Sequence, residues 1–279
     1  MTVLLPEAKP ASSPNAKLAI DDVSKTFRVR GGQAQQDTLL PVLRHVSFEV
    51  REGEIVSLLG ESGCGKTTLL RIIQGLVRLD RGTIRVDGRP VSAPGRDRGF
   101  VFQQANLLPW RTARQNIEFG LELQRLDTRE RAKRARELLE LVGLAAAGEQ
   151  FPHQLSGGMQ QRIGLARALA IEPAVLLMDE PFSALDAQNR ELLQQELLRI
   201  HAHTGKTILF VTHDLDEAIY LSDRIIVMGA KPGRIKRVID VPFPRPRAEL
   251  PLLRGNPQFQ TMRAEMWGLI RSTPIGDRV

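Results

Sequence analysis

The sequence predicts an α/β fold built around a parallel sheet, and three observations carry that expectation. Residues 55–59, 174–178 and 207–211 are short apolar runs without alternation, the pattern of strands buried on both faces. Helical stretches separate the runs in the chain, as crossover connections between parallel strands require. The first run leads directly into a glycine-rich loop and then a helix.

The elements follow in order. Residues 1–17 hold three prolines and two serines and read as a flexible lead-in. A strand is expected over 18–27. Residues 31–38, with two glycines and three glutamines, break the pattern as a hairpin loop, and alternation resumes over 42–50. A turn at 51–54 feeds the buried run 55–59. The glycine-rich loop hands over to a helix from Lys66 to about Gln74, and Gly75, Gly82 and Gly88 punctuate another hairpin.

The middle of the chain is helical. Asp127, with Glu130 three positions on, has the form of a capping box. Ala132, Ala135, Leu138, Leu139 and Val142 recur at helical spacing, and Gly143 is the expected stop. A second helix is expected from about Gly158 to Ala170, ended by Pro173, and a third over 188–203 between the last two buried runs. A strand pair near 224–228 and 234–241 closes the ordered core. Seven of the seventeen prolines fall within residues 229–279, so much of that stretch is expected to be extended. One helix is still predicted there: Asn256 caps it, Pro257 suits the first helical position and Pro274 stops it. Its face of Phe259, Met262, Met266, Leu269 and Ile270 reads as packing onto the protein's own core rather than onto a membrane. No internal repeat is visible.

A chain of 279 residues with 42% apolar and 25% charged residues has the balance of an ordinary globular protein, which excludes disorder as its dominant state. No run approaches the ~18 apolar residues that a spanning helix needs. The start lacks a basic region and an apolar region, so no secretion signal is expected. The single cysteine, Cys64, fits a reducing compartment, and a cytoplasmic chain is expected. Of the net charge of +7, residues 229–279 contribute ten Lys/Arg against four Asp/Glu, leaving a near-neutral body. This basic tail reads first as a solvated surface. Anionic lipid and nucleic acid are the sharper alternatives.

Chemistry concentrates in three places. Gly60, Glu61, Ser62, Gly63, Cys64, Gly65, Lys66 and Thr67 match the G-x-x-x-x-G-K-[ST] phosphate loop, with the strand before it and the helix after it that the mechanism requires. Its glycines let backbone N–H groups face phosphates, and the helix adds its positive end. Lys66 reaches the β- and γ-phosphates, and the Thr67 hydroxyl is placed for magnesium. Cys64 reads as a spacer, although a helix end and Lys66 beside it would favour a lowered thiol pKa.

Asp179 and Glu180 end the apolar run 175–178, where a phosphate loop needs carboxylates. Asp179 is expected to hold the metal through water, and Glu180 to orient and deprotonate the attacking water. The third place is Leu155, Ser156, Gly157, Gly158, Met159 and Gln160, at a helix start, a second bundle of N–H donors suited to phosphate. One ATP in a monomer needs only one such cradle. His153, His201 and His203 have no comparable role. Positions two apart on a helix face away from each other, so the His201 and His203 pair reads as solvated.

With these motifs in hand, the chain resembles the ATPase subunits of ABC transporters over about residues 18–245. The resemblance implies a P-loop NTPase (RecA-like) core with an N-terminal antiparallel β subdomain and an inserted helical subdomain at about 104–160. The basic tail with its one helix then occupies 246–279. It further implies that two subunits stack head to tail as a homodimer, the phosphate loop of one facing Leu155 to Gln160 of the other. ATP and Mg2+ are the implied cofactors. Phe27 sits where an aromatic stacks on adenine, and residues 60–68, Thr68 included, join Ser156, Gly157, Gly158 and Gln160 in the ATP-binding set. Gln103, rather than Gln104, matches the glutamine that contacts magnesium and the attacking water, alongside Thr67 and Asp179 on the metal. Ser183, Ala184, Leu185 and Asp186 look like the loop that couples the two sites. His213 matches the histidine that senses the γ-phosphate, completing a catalytic set of Glu180, His213 and Gln103.

The interval from Gln103 to Ser156 is too short for the coiled-coil arms of DNA-repair members. A single set of motifs argues against the tandem translation-factor type, and the tail is too short for the regulatory barrel of sugar importers. Leu107, Leu108 and Trp110 form an apolar tip where family subunits meet the coupling helix of an integral membrane permease. With Pro232, Gly233, Arg234 and the proline-rich run 241–247, they resemble the nitrate/sulfonate/taurine importer group. The longer lead-in and the 31–38 insert depart from that pattern. The resemblance thus implies an importer ATPase, peripheral at the cytoplasmic face of the inner membrane. It drives a permease, engages a solute-binding protein only indirectly and has no nucleic acid partner. The alternative is a soluble ABC ATPase that uses its basic tail on nucleic acid.

Overall fold

The computed structural model describes residues 16–29, 38–122, 124 and 126–271. In chain order the elements are β1 (Ala16–Val29), β2 (Thr38–Arg51), β3 (Ile55–Leu59), α1 (Lys66–Gln74), β4 (Arg81–Val86), β5 (Arg89–Pro90) and β6 (Arg98–Val101). Three helices follow, α2 (Ala113–Glu122), α3 (Thr128–Leu141) and α4 (Gly157–Ala170). Then come β7 (Val175–Asp179), α5 (Ala187–Thr204), β8 (Thr207–Thr212), α6 (Leu215–Leu221), β9 (Arg224–Gly229), β10 (Arg234–Asp240), α7 (Leu250–Arg254) and α8 (Pro257–Arg271).

Two sheets form. The first is antiparallel, in the order β2-β1-β4-β5. The second runs β10-β9-β3-β8-β7-β6, parallel throughout except for β10, which returns antiparallel to β9. β3 and β8 are buried along their whole length, which is why they read as unbroken apolar runs. Their side chains still alternate between two cores. Ile55, Leu59, Leu176, Met178, Ile208 and Phe210 face a core shared with α2, α4, α5, α6 and α8. Val56, Leu58, Val175, Leu177, Leu209 and Val211 face one shared with α1 and the antiparallel sheet. The parallel sheet is therefore the middle layer, and its strand ends lie between the two cores.

Several expectations change. The structure adds β6, α2, α6 and α7, which the sequence reading did not single out. Asp127 caps α3 by accepting from the Glu130 amide at 2.8 Å, while the Glu130 carboxylate pairs with Arg134. The lead-in up to residue 15, most of the 31–38 loop and the Pro274 stop lie outside the described residues. His201 is not solvated: α5 turns it inward, where its Nε2 lies 2.9 Å from the Gly53 carbonyl and burial holds its pKa low.

The basic tail is not a free solvated strand either. Phe259, Met262 and Met266 of α8 are buried in the first core, with Leu269 and Ile270 packed beside them. Arg245 pairs with Asp223 at 2.8 Å, Arg254 with both Glu191 and Asp216, and Arg263 with Asp216 at 2.9 Å. The Arg247 side chain is buried and donates to the Tyr220 and Ser222 carbonyls, and burial lowers its pKa to about 10. No helix among the described residues is long and apolar enough to cross a membrane.

Candidate nucleotide site

The register of the parallel sheet assembles the site. Leu59 pairs with Thr212 and Asp179 with Val211, so β3, β8 and β7 end level with one another. The loops that leave these ends converge, which is where open α/β sheets bind ligands.

The loop after β3 wraps tightly. Gly65 has φ +93°, and a Cβ there would lie 2.7 Å from Leu43 Cδ2, so no other residue fits without displacing β2. Gly65 is also the N-cap of α1 and offers no side-chain acceptor, which leaves the first amides of the helix for an anion. Lys66 is only 5% exposed. Its ammonium donates to the Gly60 and Glu61 carbonyls at 2.7 and 3.0 Å, inside the curl of the loop. Glu61, Ser62 and Gly63 form the exposed tip, and Thr68 is half-buried beside Thr67. Cys64 departs from expectation. It is buried, and that burial pushes its thiol pKa up despite the Lys66 ammonium 3.8 Å away.

Thr67 Oγ1 donates to Asp179 Oδ1 at 3.0 Å, bringing a hydroxyl from the first turn of α1 and a carboxylate from the end of β7 into contact. Burial raises the Asp179 pKa, and the Glu180 charge beside it adds to the shift, while the Thr67 bond opposes it. A divalent cation there would reverse that balance, and hard oxygen donors are what magnesium takes, so the residues present fit this metal.

Glu180 has φ +46°, an uncommon backbone for a residue with a side chain. Three bonds hold it: its amide donates to the Val211 carbonyl at 3.1 Å, and its carbonyl accepts from the Ser183 amide and hydroxyl. The result aims its carboxylate at His213, whose Nδ1 is 3.2 Å from Glu180 Oε2. Lys66, Thr67, Asp179, Glu180 and His213 thus gather at the ends of three adjacent strands.

A second cluster lies at the start of α4. Ser156 caps that helix, accepting from the Met159 amide at 3.3 Å, and Gly157 and Gly158 begin it. Gln160 points its amide back at the Pro152 and Leu155 carbonyls, so it shapes this loop from within. Gln161 had no place in the sequence reading. It is buried and donates to the Phe102 carbonyl at 2.8 Å, tying α4 to the segment that carries Gln103. Its neighbours Gln160 and Arg162 are polar as well, so no local signal marked it. Gln103, Gly157, Gln160, Gln161 and Leu185 line one cleft of about 320 Å3.

The remaining residues divide. Phe27 is 37% exposed near the end of β1, so it is not a core residue, and the Lys25 ammonium lies 5.2 Å from its ring centre. Asp186 caps α5, and its bonds from Asn189 hold its carboxyl below the usual range. The apolar tip is smaller than expected. Trp110 is 71% exposed, but Leu107 and Leu108 are half-buried, with Leu107 packed on the core. The cause is Asn116, a fully buried residue whose amide exchanges two hydrogen bonds with the Leu108 backbone and donates to the Arg111 and Thr112 carbonyls.

Known proteins share this fold and much of this sequence. Residues 43–183 match the family model described as ABC transporter. The taurine import ATP-binding protein TauB of Rhizobium johnstonii is 44% identical over 259 residues, covering 92% of this chain and 97% of that protein. The nitrate import ATP-binding protein NrtD of Synechocystis sp. is 41% identical over 258 residues, covering 91% and 95%. Among solved structures, the dimeric post-hydrolysis state of the ATP-binding cassette MJ0796, bound to ADP and Pi, superposes with a TM-score of 0.68. It is 36% identical and covers 80% of this chain and 98% of its own.

Proposed function

The chain belongs to the ABC transporter family as an ATP-hydrolysing, ATP-binding subunit, and we propose that two copies close head to tail around two MgATP to drive a separate permease. The observation that carries the proposal is the pairing of Thr67 with Asp179 and of Glu180 with His213 beside the phosphate loop.

In this scheme the amides of residues 63–68 face the phosphates, and Lys66 exchanges its two loop carbonyls for phosphate oxygens. Thr67, Asp179 and Gln103 would hold Mg2+, which when bound would offset the phosphate charge. Glu180 accepts the proton of the attacking water as the water oxygen bonds to the γ-phosphorus and the bond to ADP breaks. His213 orients the γ-phosphate and Glu180 together. Phe27 supplies a face for adenine. Ser156, Gly157 and Gly158 complete the site of the other subunit, because a second donor cradle has no task within one chain.

The names of the relatives support a small anion of the taurine or nitrate class as the cargo. The cargo itself is recognised by the permease and a solute-binding protein, and the subunit works at the cytoplasmic face of the inner membrane. A nucleic-acid role loses its support, since Arg245, Arg254 and Arg263 are engaged by carboxylates of the protein's own body.

Complementation tests the shared site. Ser156→Arg and Lys66→Ala should each abolish hydrolysis alone, and mixing them should restore part of it through one intact site per heterodimer. No recovery in mixed dimers shown to form would overturn the head-to-tail arrangement.

A further inference from the structure

Behind His213 runs a polar chain that the scheme above leaves without a task. The hydroxyl of Thr212, the last residue of β8, donates to Glu217 Oε2 at 2.7 Å and accepts from the Asp214 amide at 3.0 Å. Asp214 in turn caps α6, its Oδ1 accepting from the Asp216 and Glu217 amides. The turn that carries His213 is therefore closed by one buried hydroxyl and one carboxyl, Glu217 being only 6% exposed. Burying a carboxyl is costly, and an apolar side chain would cover the inner face of α6 without that cost.

Arg190, in the first turn of α5, reaches the same group from the other side. Its Nη2 donates to the Leu185 carbonyl at 3.1 Å, in the loop 183–186. Its Nε lies 4.0 Å from Glu217 Oε1, and its Nη1 lies 3.9 Å from Asp214 Oδ2. That Nε is buried without a hydrogen-bond partner. A donor left so is destabilising, and an approach of ~1 Å would bring it to bonding distance. The His213 side chain is 57% exposed, so the turn beneath it does most of the aiming.

We propose that Glu217 is a positioning residue for His213, acting through the Thr212 hydroxyl, and that Arg190 joins this support to the loop 183–186. Movement of that loop and the aim of His213 are then set together within one subunit. The proposal rests on the reading of Glu180 and His213 as parts of the hydrolytic site. Its chemistry is ordinary hydrogen bonding and ion pairing, with no group transferred.

The test uses the full chain and reads ATP affinity separately from kcat. Thr212→Val should lower kcat by ~10- to 100-fold, the penalty of a misaimed group, with ATP affinity within about threefold of wild type. Thr212→Ser, which keeps the hydroxyl, should recover most of the loss. In a double-mutant cycle, Thr212→Val should add nothing to His213→Ala, because both remove the same contribution. Arg190→Met, at a partly exposed position, should lower kcat in the same way and serves if Thr212→Val does not fold. Thr212→Val at wild-type kcat would overturn the proposal. So would equal losses of kcat and ATP binding, or losses that add to those of His213→Ala. A His213→Ala variant at wild-type rate would instead remove the reading beneath it.

Discussion

His213 Nδ1 stands 3.2 Å from Glu180 Oε2, and the two residues enter the site from the ends of neighbouring strands, β8 and β7. The contact is a consequence of backbone as much as of side chains. Glu180 reaches it from φ +46°, pinned to Val211 on one side and to Ser183 on the other. The backbone that carries the carboxylate is thereby fixed, which suits a base that must meet water in line with a phosphate.

Glu180→Gln keeps the size and the bonding capacity of the side chain but not its basicity. ATP binding should be retained, while turnover measured as phosphate release should fall by ~10²–10⁴, the usual worth of a positioned general base. The variant should also accumulate as an ATP-bound dimer in sedimentation experiments, since hydrolysis no longer resets closure. Near wild-type turnover would remove Glu180 from this role.

Glu217 makes a separate forecast for stability. Burial raises its pKa from 4.5 to about 7, and the Asp214 charge adds to the shift, while the Thr212 bond, Arg190 and His213 oppose it. Its folded pKa lies above its unfolded one. The folded state therefore holds a proton that the unfolded state has lost between those values. The stability linked to that proton is fully present below about 4.5 and is lost as pH rises to about 7. Glu217→Gln has no such dependence. Urea unfolding at pH 5 and pH 8 should show the variant gaining about 2–3 kcal/mol on wild type between the two. A difference that stays constant with pH would mean that Glu217 titrates like an exposed carboxyl.

The parts of this molecule that were legible in the sequence are those fixed by neighbours in the chain. β3 and α1 came out residue for residue, because a buried parallel strand is an unbroken apolar run and a phosphate loop marks where its helix begins. The parts that were not legible depend on partners far along the chain. Nothing local distinguishes His201 from His203, yet one meets the Gly53 carbonyl and the other faces solvent. Counting charge in the tail could not reveal that Asp216, Asp223 and Glu191 were waiting for its arginines. Thr212 and Glu217 look like ordinary residues flanking a histidine until the turn closes them onto each other.

The apolar tip shows the same limit, and it leads to the test of the transport assignment. Asn116 draws the Leu108 backbone inward, so of Leu107, Leu108 and Trp110 it is Trp110 that presents its side chain broadly to solvent. An exposed tryptophan on a pinned loop is of no benefit to a free ATPase, and such exposure usually marks an interaction site. Buried in a partner, a tryptophan anchor is often worth about 2 kcal/mol or more, which is ~30-fold in affinity. Trp110→Ser should therefore leave ATP binding by the isolated subunit unchanged. It should release the subunit from membranes that contain the permease, and it should sharply reduce uptake. Retention on those membranes with undiminished uptake would show that coupling runs elsewhere. In parallel, the intact protein should form no selective complex with DNA or RNA at physiological salt, because Arg245, Arg254 and Arg263 already have carboxylate partners. A selective complex under those conditions, together with a silent Trp110→Ser, would move the function from the membrane to nucleic acid.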